Sequence, residues 1–289
     1  MIDVSLLKET IHSVRLEIVL LAIFLYFGNI AIRAYRLQQI LNKDQTLLGF
    51  KDAYIMTLVG IALNIFVPAT LGDLGRSYYG YKIYGLKEEM LSTVIVDKMF
   101  ALCSLFLIGS VSGYIMGHYV LLLVSFVSAV LTFIPLAFPR LVPWNMANSV
   151  FGLFKKSLEP EKLLTAFMLS GKLKFYMLGI SIGGWLFTCF YFYVLCLAFP
   201  VTVNLGYIIL IMPILTIVRL FPFTVNALGP MEVAVAYFFG LIGIKPTLAV
   251  LISLSSNLIV SILPGSIGLL IICNYSNHKT HEIHEIKRK

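Results

Sequence analysis

Asn64-Ile65-Phe66-Val67-Pro68-Ala69-Thr70-Leu71-Gly72-Asp73-Leu74-Gly75-Arg76 is an apolar stretch broken by Pro and Gly, with an acid and an arginine just past the break. A second stretch, Arg219-Leu220-Phe221-Pro222-Phe223-Thr224-Val225-Asn226-Ala227-Leu228-Gly229-Pro230-Met231-Glu232, repeats that character in the other half of the chain. Everything around the two breaks reads as membrane. Charges and broken helices are costly inside a bilayer and mark substrate or ion sites there. The pairing points to a transporter of something polar.

Composition supports the membrane reading. Of 289 residues, 59% are apolar and 12% are charged, against about 25% charged in a soluble domain. Strand-like alternation is absent, which argues against a barrel. The expected class is an all-α integral membrane protein. Residues 1–275 form one polytopic domain in this reading, and 276–289 form a basic cytoplasmic tail.

Apolar runs at 16–37, 91–112, 118–138, 175–199 and 247–273 are long enough to span. Residues 52–67 are not: at 1.5 Å per residue they reach about 24 Å, short of the roughly 30 Å hydrocarbon core. They read as half of a re-entrant hairpin whose return runs from Gly72 to Tyr84. Residues 205–221 and 229–243 read as a second hairpin. Glu161 to Gly171 has apolar residues at helical spacing and reads as a surface helix. Pro264, Gly265 and Gly268 permit a kink in the last span.

Positive-inside counting orders these pieces. With 33–51 inside, the 139–174 loop and the tail also fall inside, carrying six and four Lys/Arg. The outer loops at 112–118 and 200–204 carry none, whereas Lys245, Lys8 and Arg15 go against the rule. The hairpins then enter from opposite sides, as in an inverted repeat with a site near the midplane. The net charge of +8 serves orientation and contact with anionic lipid headgroups rather than nucleic acid.

Each candidate residue has two readings. Asp73 and Arg76 open a helix whose free N–H groups favour an anion. Alternatively they pair with each other at the interface. Arg219 interrupts an uncharged run, stays ionised, and needs a partner or an aqueous cavity; Glu232, Asp73 or a substrate phosphate would serve. Glu232 also fits an ordinary acid in a first turn after Gly229-Pro230. Asp97 and Lys98 are adjacent, so they point about 100° apart on a helix; one faces a cavity or both snorkel. Arg33 and Arg36 close the first span and have snorkelling stems. Asn64 and Asn226 lie beside the breaks, where amides bond freed backbone groups or a ligand.

Other chemistry finds little support. Cys103, Cys189, Cys196 and Cys273 lie in apolar runs without metal or redox spacing. His278, His281 and His284 read as a solvated tail. There is no GxxxxGK phosphate loop and no exposed catalytic set. No cofactor is expected.

The first broken segment resembles the N-x-x-x-P-x-x-x-G-[D/E]-x-x-R signature of the flippase-like membrane domain of lysylphosphatidylglycerol synthase and its stand-alone relatives. The matching residues are Asn64, Pro68, Gly72, Asp73 and Arg76. Asp97-Lys98 is similar to an acid–Arg pair that follows in the family, with Lys98 for Arg and Ala101 where a further Asp is often seen. Pro222, Thr224, Gly229 and Glu232 resemble its P-x-S-x-x-G-x-G-x-x-E motif, with Ala227 replacing one Gly. The similarity spans about 15–273.

The resemblance implies a lipid-handling protein of a bacterial or archaeal cytoplasmic membrane, and positive-inside counting puts the C-terminus inside. The 16 residues after the last span leave no room for the family's aminoacyl-transfer domain, so a non-enzymatic role is expected. The leading expectation is a flippase for a phospholipid or polyprenyl-phosphate-type lipid. The candidate binding residues are Asn64, Pro68, Gly72, Asp73, Arg76, Asp97, Lys98, Arg219, Asn226, Gly229 and Glu232. The alternatives are an intramembrane transferase on lipid-linked substrates, or a non-transporting partner subunit.

Overall fold

The computed structural model describes residues 13–67, 72–85, 88–141, 166–220 and 228–286. All regular structure among them is helical: α1 (Leu16–Leu41), α2 (Phe50–Asn64), α3 (Gly72–Tyr84), α4 (Glu88–Ile115), α5 (Tyr119–Ala137), α6 (Gly171–Leu197), α7 (Leu205–Leu220), α8 (Pro230–Gly240), α9 (Pro246–Asn257) and α10 (Leu263–Ile286). Five helical stretches are long and apolar enough to cross a membrane: Leu16–Leu41, Met90–Ile115, Tyr119–Ala137, Gly171–Leu197 and Pro246–Asn274. They coincide with the five apolar runs. Large apolar side chains such as Phe24, Val120, Leu123 and Phe175 are exposed on the outside, as lipid-facing helices require.

α2 stops at Asn64, one turn before Pro68, whose ring would clash with a continuing helix. The chain then returns, and α3 packs antiparallel against α2. A Cβ on Gly72 would sit 2.3 Å from the Asn64 backbone nitrogen, and one on Gly75 would sit 2.4 Å from Leu63 Cδ1. Further along, one on Gly80 would lie 2.5 Å from Met56. Glycine at 72 is therefore a steric requirement of the hairpin. α7 and α8 pack together as the second pair.

The core joins α1, α2 and α6–α9 through Tyr26, Ile30, Leu58, Phe192, Leu215 and Phe239. Two smaller clusters pack α1 against α2 and α4, and α4 against α6.

Three expectations change. Residues 161–165 lie outside the described residues, and 166–170 are turn and extended chain rather than surface helix. Ala166, Phe167 and Leu169 are buried against Ile40, Val96 and Phe100; their apolar spacing serves the core. α6 accordingly starts early, at Gly171, with Ser170 Oγ accepting from the Leu173 N–H at 3.2 Å, a side-chain cap. Where Pro264, Gly265 and Gly268 permit a kink, the last span carries a π-helical turn, Leu258–Ile262, just before Pro264. Proline lacks the N–H that would continue the α ladder, and a π turn absorbs the displaced carbonyls. Lastly, α10 continues to Ile286, beyond the apolar run and into the basic tail.

Candidate functional site

The α2–α3 hairpin aims its polar residues inward. Asp73, in the first turn of α3, is buried and accepts a hydrogen bond from Asn64 Nδ2 at 2.9 Å. It also accepts from Lys98 Nζ in a short ion pair. Arg33 Nη2 lies 4.0 Å from the same carboxylate. One turn later, Arg76 is 1% exposed and donates from Nη2 to Asp97 Oδ2 at 2.8 Å. Asp73 and Arg76 thus take different partners rather than each other.

α4 supplies those partners. Adjacent helical residues diverge by about 100°, and Asp97 and Lys98 turn accordingly toward different groups. Asp97 is 3% exposed and bridges two guanidinium groups, Arg36 Nε at 2.5 Å and Arg76 Nη2 at 2.8 Å. Lys98 reaches Asp73. The pair ties α1, α3 and α4 together. Arg36 is buried and does not snorkel: its Nη1 donates to Ser181 Oγ on α6 at 2.9 Å.

Tyr26, Asn29, Arg33 and Arg36 line the site from α1 and were not singled out as binding residues from sequence. Their spacing, i, i+3, i+7 and i+10, is one face of a helix. That polar face on an apolar span was the available signal. Asn29 Nδ2 donates to the Gly184 carbonyl at 2.9 Å and Thr188 Oγ1 at 3.0 Å, locking α1 to α6.

Across the cavity, Arg219 at the end of α7 lies within electrostatic reach of Tyr26 and Tyr191. Its Nε is buried without a hydrogen-bond partner, and no ion pair joins it to a carboxylate among the described residues. Tyr26 and Tyr191 pack as a tilted pair with ring centroids 5.2 Å apart and planes at 58°, and Tyr191 hydrogen-bonds Ser256. Glu232 takes a different place: its Oε2 accepts from the Gly229 N–H at 2.5 Å and its Oε1 from Ser253 Oγ at 3.3 Å. The Glu232 carboxylate thus caps the start of α8 through the Gly229 N–H, with Gly229 at φ +93°, a conformation suited to glycine. Pro68 and Asn226 lie outside the described residues.

These side chains line a partly open cavity of about 230 Å³. Its charged lining is Arg33, Arg36, Lys98 and Arg219 against Asp73 and Asp97, so cations outnumber carboxylates by two. Arg76 stands behind Asp97 and adds a third. Trp185, Thr188, Tyr191 and Ser261 complete a neutral polar wall. Guanidinium groups are strong bidentate donors to phosphate or carboxylate oxygens. The arrangement is chemically suited to an anion. No cluster of metal-ligating side chains occurs among the described residues.

Comparison with known proteins agrees with this setting. The family described as the lysylphosphatidylglycerol synthase TM region matches residues 1–268. No curated protein and no solved structure matches the chain.

Proposed function

We propose the following role for this chain, a multi-pass membrane protein that belongs to the lysylphosphatidylglycerol synthase TM-region family: it moves an anionic lipid across the membrane by taking the headgroup into the central cavity. The observation that carries this reading is the surplus of cations, Arg33, Arg36, Lys98 and Arg219 against Asp73 and Asp97, around a partly open cavity of about 230 Å³. Moving a headgroup-sized ion into a medium of ε ≈ 4 costs, in the idealised Born limit, about 20 kcal/mol. A cavity lined with guanidinium donors replaces the lost hydration and lowers that barrier. The space is smaller than the roughly 300–1,000 Å³ of pockets that take whole drug-sized ligands. It suits a headgroup, with the acyl or prenyl tails remaining in lipid.

In this reading Arg33, Lys98 and Arg219 contact the phosphate. Asp73 holds Lys98 and Arg33 in place and supplies a countercharge that the incoming anion competes with. Asp97 fixes Arg36 and Arg76 and so keeps α1, α3 and α4 in register. Glu232 and Gly229 set the start of α8, beside the cavity-lining Met231. The α2–α3 and α7–α8 pairs act as two re-entrant hairpins of an inverted repeat, entering from opposite faces, with the headgroup site between their tips.

The test is translocation in proteoliposomes. Fluorescent phosphatidylglycerol and a polyprenyl phosphate are followed by accessibility to a membrane-impermeant reductant or phosphatase. The proposal expects protein-dependent movement of an anionic lipid and its loss in Arg219→Gln and Lys98→Gln. Equal movement in empty liposomes, or in both variants, would refute it.

A further inference from the structure

We infer that the headgroup this cavity is built for is a dianion, a phosphomonoester or pyrophosphate on a lipid tail, rather than a singly charged phosphodiester. This rests on the lipid reading above. It follows from the charges that the cavity network carries. Asp97 is saturated by Arg36 and Arg76 at 2.5 and 2.8 Å, so that trio keeps one positive charge. Asp73 accepts from Lys98 and Asn64 and faces Arg33 at 4.0 Å, so that group keeps a second. Arg219, whose Nε is buried and unpartnered, is a third. Glu232 does not line the cavity and makes no ion pair with Arg219 among the described residues; it accepts from the Gly229 N–H and the Ser253 hydroxyl at the start of α8. No other carboxylate lines the cavity among the described residues.

Surplus charge in a low-dielectric interior is costly unless paired. A diester leaves two of the three positive charges uncompensated, whereas a dianion leaves one. Hydrogen-bond capacity points the same way. A monoester offers three strong peripheral acceptor oxygens, and the cavity offers three separate donor groups: Arg33, Lys98 and Arg219. A diester has two such oxygens, so two of the three donor groups must share one.

The test uses the full chain in phosphatidylcholine nanodiscs at pH 8, where a phosphomonoester with a second pKa of about 6 is doubly ionised. Trp185 lines the cavity, and with Trp144→Phe it becomes the sole tryptophan and reports occupancy by fluorescence. Short-chain phosphatidic acid, phosphatidylglycerol and inorganic phosphate are titrated separately. Phosphatidic acid is expected to bind about tenfold tighter than phosphatidylglycerol, the gain from one further charge beside buried cations. Arg219→Gln should reduce that preference to near unity. Inorganic phosphate should bind far more weakly than phosphatidic acid. Equal binding of the two lipids overturns the dianion inference and leaves the lipid reading standing. Inorganic phosphate binding as tightly as phosphatidic acid, or no lipid binding at all, overturns both. The wild-type series decides the matter even where the Arg219 variant fails to fold.

Discussion

Replacing Asp97 with Asn removes one carboxylate and strands two buried guanidinium groups. Asp97 is 3% exposed, Arg76 1% and Arg36 6%, so none of the three reaches bulk water to recover solvation. Breaking a buried pair by deleting one partner costs about 3–5 kcal/mol. Because one acid serves two arginines, at 2.5 and 2.8 Å, the upper part of that range applies. At about 2 °C per kcal/mol for a chain of this size, the melting midpoint should fall by roughly 8–10 °C. The assay is thermal denaturation in detergent micelles followed by near-ultraviolet circular dichroism. The second arm is the triple variant Arg36→Met, Arg76→Met, Asp97→Leu, which removes every charge at once. Apolar replacement of a complete buried ionic cluster is often neutral or stabilising, so most of the loss should return. A midpoint for Asp97→Asn within about 2 °C of the parent protein would refute the reasoning.

Arg219 should behave in the opposite way. Its Nε has no partner to strand, so Arg219→Met should leave stability unchanged or raise it by about 1–3 kcal/mol, while anionic-lipid binding is lost; a large drop in midpoint would contradict this. Gly72→Ala places a Cβ 2.3 Å from backbone that cannot yield and should cost about 1–3 kcal/mol or more by forcing the hairpin open. Gly179→Ala, with nothing within 4 Å, is the control and should be neutral or gain up to about 1 kcal/mol; equal midpoints for the two would count against the tight hairpin. Glu232→Gln keeps an acceptor for the Gly229 N–H, so stability should change by less than about 1 kcal/mol with translocation retained; abolished translocation would move Glu232 into the transport machinery.

Much of the architecture was legible because its determinants are local. Pro68 and the glycine at 72 fix where α2 ends and α3 begins, and the five long apolar runs are spans by length alone. The partners within the site were less legible. Asp73 sits three residues from Arg76, yet it bonds Lys98, twenty-five positions away, because packing of α3 against both α2 and α4 sets its rotation. Arg33 and Arg36 had a sufficient local explanation at the end of a span, as snorkelling side chains. Only packing against α4 and α6 shows that Arg36 is trapped inside. Glu232 invites pairing with Arg219, but the free N–H of Gly229 three residues upstream is a nearer partner.

The most direct measurement is a single-particle structure of the chain in nanodiscs containing phosphatidic acid. The account predicts phosphate density inside the cavity, within hydrogen-bond distance of Arg33, Lys98 and Arg219. Headgroup density confined to the outer perimeter, with only water between α1, α4 and α7, would contradict it.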